Sequence, residues 1–376
     1  MSFPRVCIVG GIYDQSDEYQ KRHVYTPETV LAQGLRTLGV DVVECGHRHF
    51  VPSDDYDVVH VHHLGRAALA MATATCRSQF AFTSHDGKMV SGYRVTGKKM
   101  LAARFVASRA DALVALSGIE LHSMRALFPR QARKFRVISN GFPADVFFRI
   151  PTQAAMPRRD GPARLLFVGQ LIPQKGVHVL LKALTILRGR GEIILQLVYQ
   201  NPRLESRYRE MVDDLGLAGR VHFLGIKSAW ELAELYRSAD LLVLPTFAEA
   251  LPTVVTEAMM CGLPVVASAV AGIPEQLGGL GYLVLPGDET ALAHAIDRAL
   301  GDIEAGRVPN AKISSSAMER FSTQAMVEKH LALYRELIES GRAPERSRMV
   351  YRVVDRGSRL LLDTVGRGLV GRGLLN

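Results

Sequence analysis

A chain of 376 residues is too long for one ordinary core and suits two domains of common size. With 48% hydrophobic and 22% charged residues it is not a disordered chain. The net charge of +9 invites a polyanion-binding reading, but two stretches hold more than all of it. Residues 87–110 carry Lys88, Arg94, Lys98, Lys99, Arg104 and Arg109 and no acid, and residues 341–376 carry eight arginines against Glu345, Asp355 and Asp363. The remaining body is slightly acidic, and neither patch interleaves aromatics along a sheet, so no nucleic-acid partner is expected. The four cysteines, Cys7, Cys45, Cys76 and Cys261, form no CxxC pair and have no matching histidine spacing. No zinc site is expected, and a reducing compartment is. The opening FPRVCIVGG reads as a strand rather than a signal peptide, and no window reaches ~18 uninterrupted apolar residues.

Apolar runs alternate with helical patterns along the chain. Strands are predicted at 6–9, 41–44, 58–61, 80–83, 112–115 and 135–138, with 3.6-period segments such as 27–38 and 65–76 between them. The rhythm repeats at 164–168, 193–198, 221–223, 241–244, 264–267 and 282–284, with helices at 177–187, 229–237 and 291–300. Ser228 and Glu231 have the spacing of a capping box. Such alternation implies α/β architecture, with parallel sheets covered on both faces. The segment 150–163 holds three prolines and a glycine without apolar period and reads as a linker. The expected layout is a first domain at 1–149, a linker at 150–163 and a second domain at 164–320. A helix at 321–340 is expected to cross back to the first domain, and a basic tail follows at 341–376. Ligands in doubly wound sheets bind beyond the carboxyl ends of the strands at the switch point, which puts the expected site in the cleft between two such domains.

The segment FAEALPTVVTEAMMCGLPVVAS at 247–268 concentrates the chemistry. A strand ends at Pro245, a loop carries Glu249, and a helix begins near Pro252. The N–H groups of Leu251, Thr253 and Val254 would point along the positive end of that helix and suit a phosphate. Glu257 follows Glu249 by eight positions, so carboxylates flank the phosphate site and could each grip hydroxyls. Two glutamates alone would fit a solvated helix start better than a binding site.

The segment resembles the E-x7-E motif of the retaining GT-B enzymes of glycosyltransferase family 4. Further segments match that family in order. They are VGG at 9–11, DVVHVHHLG at 57–65, TSHDGK at 83–88, VISNGF at 137–142, RLLFVGQLIPQKGVHVLLKAL at 164–184, RVHFLGIKSAWELAELYRSADLLVLPTFAEALP at 220–252, AGIPEQL at 271–277 and VLPGD at 284–288. The resemblance runs from about residue 4 to 340. It implies the GT-B fold, two Rossmann-like domains facing a central cleft, and transfer of a hexose-type sugar from a nucleotide-sugar, UDP- or GDP-linked, to a hydroxyl of a glycan, glycolipid or lipid-linked acceptor. It implies no cofactor and no metal.

The same resemblance implies roles. Lys175 would meet the diphosphate as a point charge, and Glu249 would hold the donor sugar. Glu257 would hold ribose hydroxyls, and Ile226 would offer backbone groups to the base. Gln170 stands where the family often has arginine, leaving one cation fewer against the leaving group. His85 would sit beside the donor sugar and hydrogen-bond a hydroxyl. Gly10 and Gly11 would let backbone approach the acceptor and the donor. His60 reads as core, and His62 and His63 as either cleft lining or plain strand-end residues.

Lys98, Lys99 and Arg104, interleaved with Met100, Leu101 and Phe105, are read as the rim of the acceptor side, suited to an anionic acceptor or a phospholipid surface, or as a solvated helix face. In the tail, Val350, Val353, Val354, Leu361 and Val365 share one helical side and Arg352, Arg356 and Arg359 the other. That pattern suits peripheral attachment to the inner face of a cytoplasmic membrane, or packing against the first domain. The protein is expected to be cytoplasmic.

Overall fold

The computed structural model describes residues 3–22, 25–85, 97–147, 161–249 and 251–341. Lys88, Arg94, the predicted linker up to residue 160 and the tail from 342 lie outside the described residues. The chain divides into two compact units, Met1–Gly141 with Thr323–Asn376, and Phe142–Ser322.

The first unit is built on a sheet of β1 (Arg5–Val9), β2 (Asp41–Cys45), β3 (Val58–His62), β4 (Gln79–Thr83), β5 (Ala112–Ala115) and β6 (Phe135–Val137). Every pairing is parallel, and the spatial order is β2-β1-β3-β4-β5-β6. The order reverses between β1 and β3, the switch point at which a crevice opens beyond the strand ends. One face packs its apolar residues against the helices Arg66–Thr73 and Gly97–Arg109. The other packs Val6, Ile8 and Val58 against Leu31 and Leu35 of the helix Pro27–Thr37 and against Leu331, Tyr334 and Leu337 of the helix Thr323–Glu339. With both faces covered, all five residues of β3 are buried.

The second unit carries β7 (Ala163–Val168), β8 (Ile193–Val198), β9 (Val221–Gly225), β10 (Leu241–Leu244), β11 (Val265–Ser268) and β12 (Tyr282–Val284), all paired in parallel, in the order β12-β11-β10-β7-β8-β9. Its switch point lies between β7 and β10. Ser228 and Glu231 form the complete capping box at the start of the helix Ala229–Ser238.

The unit begins at Phe142, earlier than the boundary read from the sequence. The short helix Ala144–Phe147 inserts Val146 and Phe147 into the second unit's core, and the Cys261 thiol donates to the Phe147 carbonyl at 3.0 Å. The proline-rich stretch drew the expected boundary to itself, although the core had already changed hands.

Candidate functional site

In the second unit the loops after β7 and β10 are locked together at the switch point. Gly176 has φ +72°, a left-handed conformation, and a Cβ there would collide with the Pro245 carbonyl oxygen. Only glycine lets the two loops approach so closely. The Phe247 amide donates to the Gln174 carbonyl at 2.8 Å, and the Gln174 side chain donates to the Ala248 carbonyl at 3.3 Å. His178 and Phe247 stack nearly parallel, with ring centres 5.7 Å apart. These ties bring Lys175, which ends a 3-10 turn Pro173–Lys175, against Glu249. Lys175 Nζ lies 2.5 Å from Glu249 Oε1, and both side chains are largely shielded from solvent. Gln170 is exposed just beyond β7.

The helix Thr253–Met260 starts after Pro252, whose extended backbone makes it the cap. Thr253 is exposed, and Leu251 and Val254 are half-buried. The first N–H groups of a helix have no partner inside it, so the Thr253 and Val254 amides are available to an anion. Gln276 holds this start in place: its amide nitrogen donates to the Pro252 carbonyl at 2.9 Å and to Thr256 Oγ1 at 2.6 Å. Glu257 is half-buried on the first turns and accepts from the Tyr236 hydroxyl at 2.8 Å. Burial raises its carboxyl to about 7, although the hydrogen bonds from Tyr236 and Thr253 pull the other way. Ile226 follows Gly225 and is 71% exposed. Gln276 and Tyr236 were not singled out in the sequence. The AGIPEQL segment contains Gln276, but nothing in its spacing points to Pro252.

In the first unit, groups gather beyond β1, β3 and β4. The Gly10 amide donates to the Cys45 carbonyl at 3.1 Å, and Gly11 opens a 3-10 turn Gly11–Asp14. A Cβ on Gly10 would fall 2.6 Å from Glu28 Cγ, so close packing against Glu28 requires glycine there. His60 is fully buried, bridging the Tyr334 hydroxyl at 2.7 Å and Thr83 Oγ1 at 2.8 Å.

His62 is also buried and does not line an open surface, since a strand covered on both faces leaves neither parity exposed. Its Nδ1 lies 2.8 Å from His85 Nε2, with the two rings stacked, and its Nε2 has no hydrogen-bond partner among the described residues. Burial, with the neighbouring His63 charge, pushes His85 down to about 3, so its imidazole is neutral. His63, beyond the strand, is the exposed histidine of the trio, and its Nε2 lies 3.3 Å from the buried Glu28 carboxylate.

The helix Gly97–Arg109 buries Ala102, Ala103, Val106 and Ala107 and leaves Lys98, Leu101 and Arg104 exposed, with Lys99 half-buried. Among the described residues, no group of three or more His, Cys, Asp or Glu is placed to hold a metal ion. Among the same residues no helix is long and apolar enough to cross a membrane.

Two doubly wound parallel sheets, each with charged or titratable side chains gathered at its switch point, define the architecture of GT-B glycosyltransferases. The chain belongs to that class through two matched family domains in order: a glycosyl transferase 4-like domain at residues 31–141, and glycosyl transferases group 1 at residues 162–302. It is 32% identical over 274 residues to the D-inositol 3-phosphate glycosyltransferase of Mycobacterium tuberculosis, covering 70% of this chain and 55% of the relative. The chain thus spans about half the length of the curated relatives it matches. Among solved structures it is similar to a sucrose-phosphate synthase from Thermosynechococcus elongatus (TM-score 0.72, 20% identity, covering 90% of this chain and 100% of that one). It is also similar to HepE from Anabaena in complex with UDP-glucose (TM-score 0.69, 20% identity, covering 90% and 100%).

Proposed function

We propose that the protein transfers a sugar from a nucleotide-sugar donor to an acceptor hydroxyl, with retention of anomeric configuration and without a metal ion. The observation that carries this reading is the Lys175–Glu249 pair, set at the β7/β10 switch point beside the free start of the helix Thr253–Met260. A cation, free amides and a carboxylate together suit a diphosphate joined to a polyol.

In this reading Lys175 and the amides of Leu251, Thr253 and Val254 meet the diphosphate, and Gln170 adds a neutral donor. Glu249 accepts from hydroxyls of the donor sugar, and Glu257 from those of the ribose. The backbone at Ile226 meets the base, and Gly11 allows close backbone approach. His85, neutral and held by His62, hydrogen-bonds a sugar hydroxyl. As the bond from the anomeric carbon to the diphosphate breaks, its electron pair leaves with the diphosphate. The acceptor oxygen attacks the same face, and the departing phosphate oxygen takes the acceptor's proton. The protein's contribution is to hold the reactants and stabilise the departing charge.

The UDP-glucose bound to the fold neighbour favours a uridine donor over a guanosine one. The relative named for inositol 3-phosphate favours a small soluble acceptor as a second reading beside a glycan or lipid-linked one. The cytoplasmic setting and the tail's attachment to an anionic membrane surface belong to the same proposal, resting on the tail's basic amphipathic pattern. A UDP-release assay with UDP-glucose in EDTA tests the core of the reading. Turnover by the wild type, lost in Lys175→Ala and Glu249→Ala, supports it. Full activity in both variants, or turnover only with added divalent ions, contradicts it.

A further inference from the structure

We propose that Glu28 and His63 form a hydroxyl-binding dyad for the acceptor on the first unit, with His63 Nδ1 hydrogen-bonded to an acceptor hydroxyl. The inference rests on the glycosyl-transfer reading and names a residue pair and an acceptor chemistry for it.

Four observations carry it. The first is backbone geometry. His63 sits at φ +70°, one of two non-glycine residues with positive φ among those described, while its amide still donates to the Thr83 carbonyl at 2.8 Å. Such conformations persist where the surroundings hold them, and they cluster at functional positions. The second is the pairing. His63 Nε2 lies 3.3 Å from Glu28 Oε1. Glu28 follows β1 on the helix Pro27–Thr37 and His63 follows β3, so the pair spans the first unit's switch point.

The third is a contrast in exposure. The Glu28 side chain is 4% exposed and that of His63 48% exposed. A buried carboxylate thus orients an accessible imidazole from behind. Burial alone would raise Glu28, but the hydrogen bond from His63 outweighs it, and the carboxyl is held at about 2. Glu28 is therefore an ionised acceptor at neutral pH. With Nε2 turned to Glu28, the other ring nitrogen, Nδ1, is left to hydrogen-bond a hydroxyl, which can either donate or accept there. The fourth is the setting. The His63 ring lies 4.9 Å from that of His85, and Gly10 supplies the space that Glu28 occupies.

A hydroxyl can pair with Nδ1 as donor or acceptor, and the Glu28 carboxylate behind the ring disfavours a second anion, so the acceptor class is a polyol or sugar. No bond forms or breaks in this step.

The test uses His63→Gly in the full chain, because glycine adopts φ +70° without strain and only the ring is lost. UDP release from UDP-glucose is followed with glycerol, myo-inositol and glucose as acceptors, and UDP affinity is measured separately. The expected result is a roughly tenfold rise in the polyol KM, the loss of one well-placed hydrogen bond, with UDP affinity and release to water unchanged. Added imidazole should partly restore the polyol KM, which a merely structural role would not allow. An unchanged polyol KM, or a parallel loss of UDP binding, overturns the proposal. So does a wild type that releases UDP into water but is stimulated by no polyol. A wild type that neither binds UDP nor turns over UDP-glucose overturns the transfer reading itself, and the dyad with it.

Discussion

Lys175 and Glu249, 74 positions apart, meet at 2.5 Å where two loops of the second unit are pinned together by Gly176. Before a donor arrives, the cation assigned to the diphosphate is neutralised by the carboxylate assigned to the sugar. Removing the carboxylate's charge should therefore free Lys175 for phosphate. Glu249→Gln is expected to bind UDP about three- to tenfold more tightly while losing roughly a hundredfold or more of its transfer rate. Calorimetric titration of UDP alongside UDP-glucose turnover checks this. Weaker UDP binding by the variant would count against the assignment.

Gly176 is expected to tolerate no side chain. Gly176→Ala combines a strained φ with a backbone collision, costing about 2 kcal/mol or more. Urea unfolding should show the loss, and UDP affinity should fall with it because Lys175 and Glu249 lose their register. A Gly176→Ala protein of wild-type stability would show that the loops are not locked as described.

Glu257 gives the second unit a pH response of definite sign. Its folded carboxyl is raised to about 7 against about 4.3 when unfolded, so the folded state holds the proton more tightly. Stability from this group is therefore lost as pH rises from about 4.5 to about 7, by up to about 4 kcal/mol. Glu257→Gln should be more stable than the wild type at pH 8 and close to it at pH 5, as read by urea midpoints. A variant less stable at both values would show that the ionised carboxylate is structurally required.

The first unit responds in the opposite sense. His60 and His62 are held well below the usual histidine range by burial, with His85 at about 3 and His330 at about 4. The unfolded chain takes up protons below about 6.5 that the folded core refuses, so stability falls as pH drops from 6.5 toward 4. Hydrogen exchange should show the amides of β3 and β4 losing protection between pH 7 and pH 5, while those of the helix Thr253–Met260 keep theirs. Uniform loss across both units would contradict it.

The amphipathic tail carries its own expectation. The full chain should co-sediment with anionic vesicles, and a chain ending at residue 342 should not, with binding weakening as salt rises. Equal binding by both would assign the attraction to another surface, with Lys98 and Arg104 the next candidates.

Much of this organisation is legible in one dimension because parallel strands buried on both faces read as apolar runs. The strand bounds predicted from those runs lie within a residue or two of β1 to β12. Lys175 and Glu249 stand out for a related reason, since each closes a loop directly after such a run. What spacing hides is pairing across the fold. The His60–Tyr334 bond joins residues 274 positions apart, because a helix at the end of the chain packs on the first sheet. The Tyr236–Glu257 bond joins two helices whose own periodicities are ordinary. From the sequence His62 and His63 read alike, as cleft lining or plain strand-end residues, but the covered strand buries His62 and the exposed ring is that of His63. The start of the second unit at Phe142 was masked by a later proline-rich stretch whose composition looks more like a boundary than the boundary itself.

The central claim is that the second unit's switch point binds a nucleotide-sugar through Lys175. Thermal unfolding in the presence of UDP-glucose tests it most directly, because a ligand bound only by the folded state raises the melting temperature by mass action. The account predicts a concentration-dependent rise for the wild type at saturating UDP-glucose, and none for Lys175→Ala at the same concentration. An equal rise in both proteins, or no rise with any UDP- or GDP-sugar in the wild type, would contradict it.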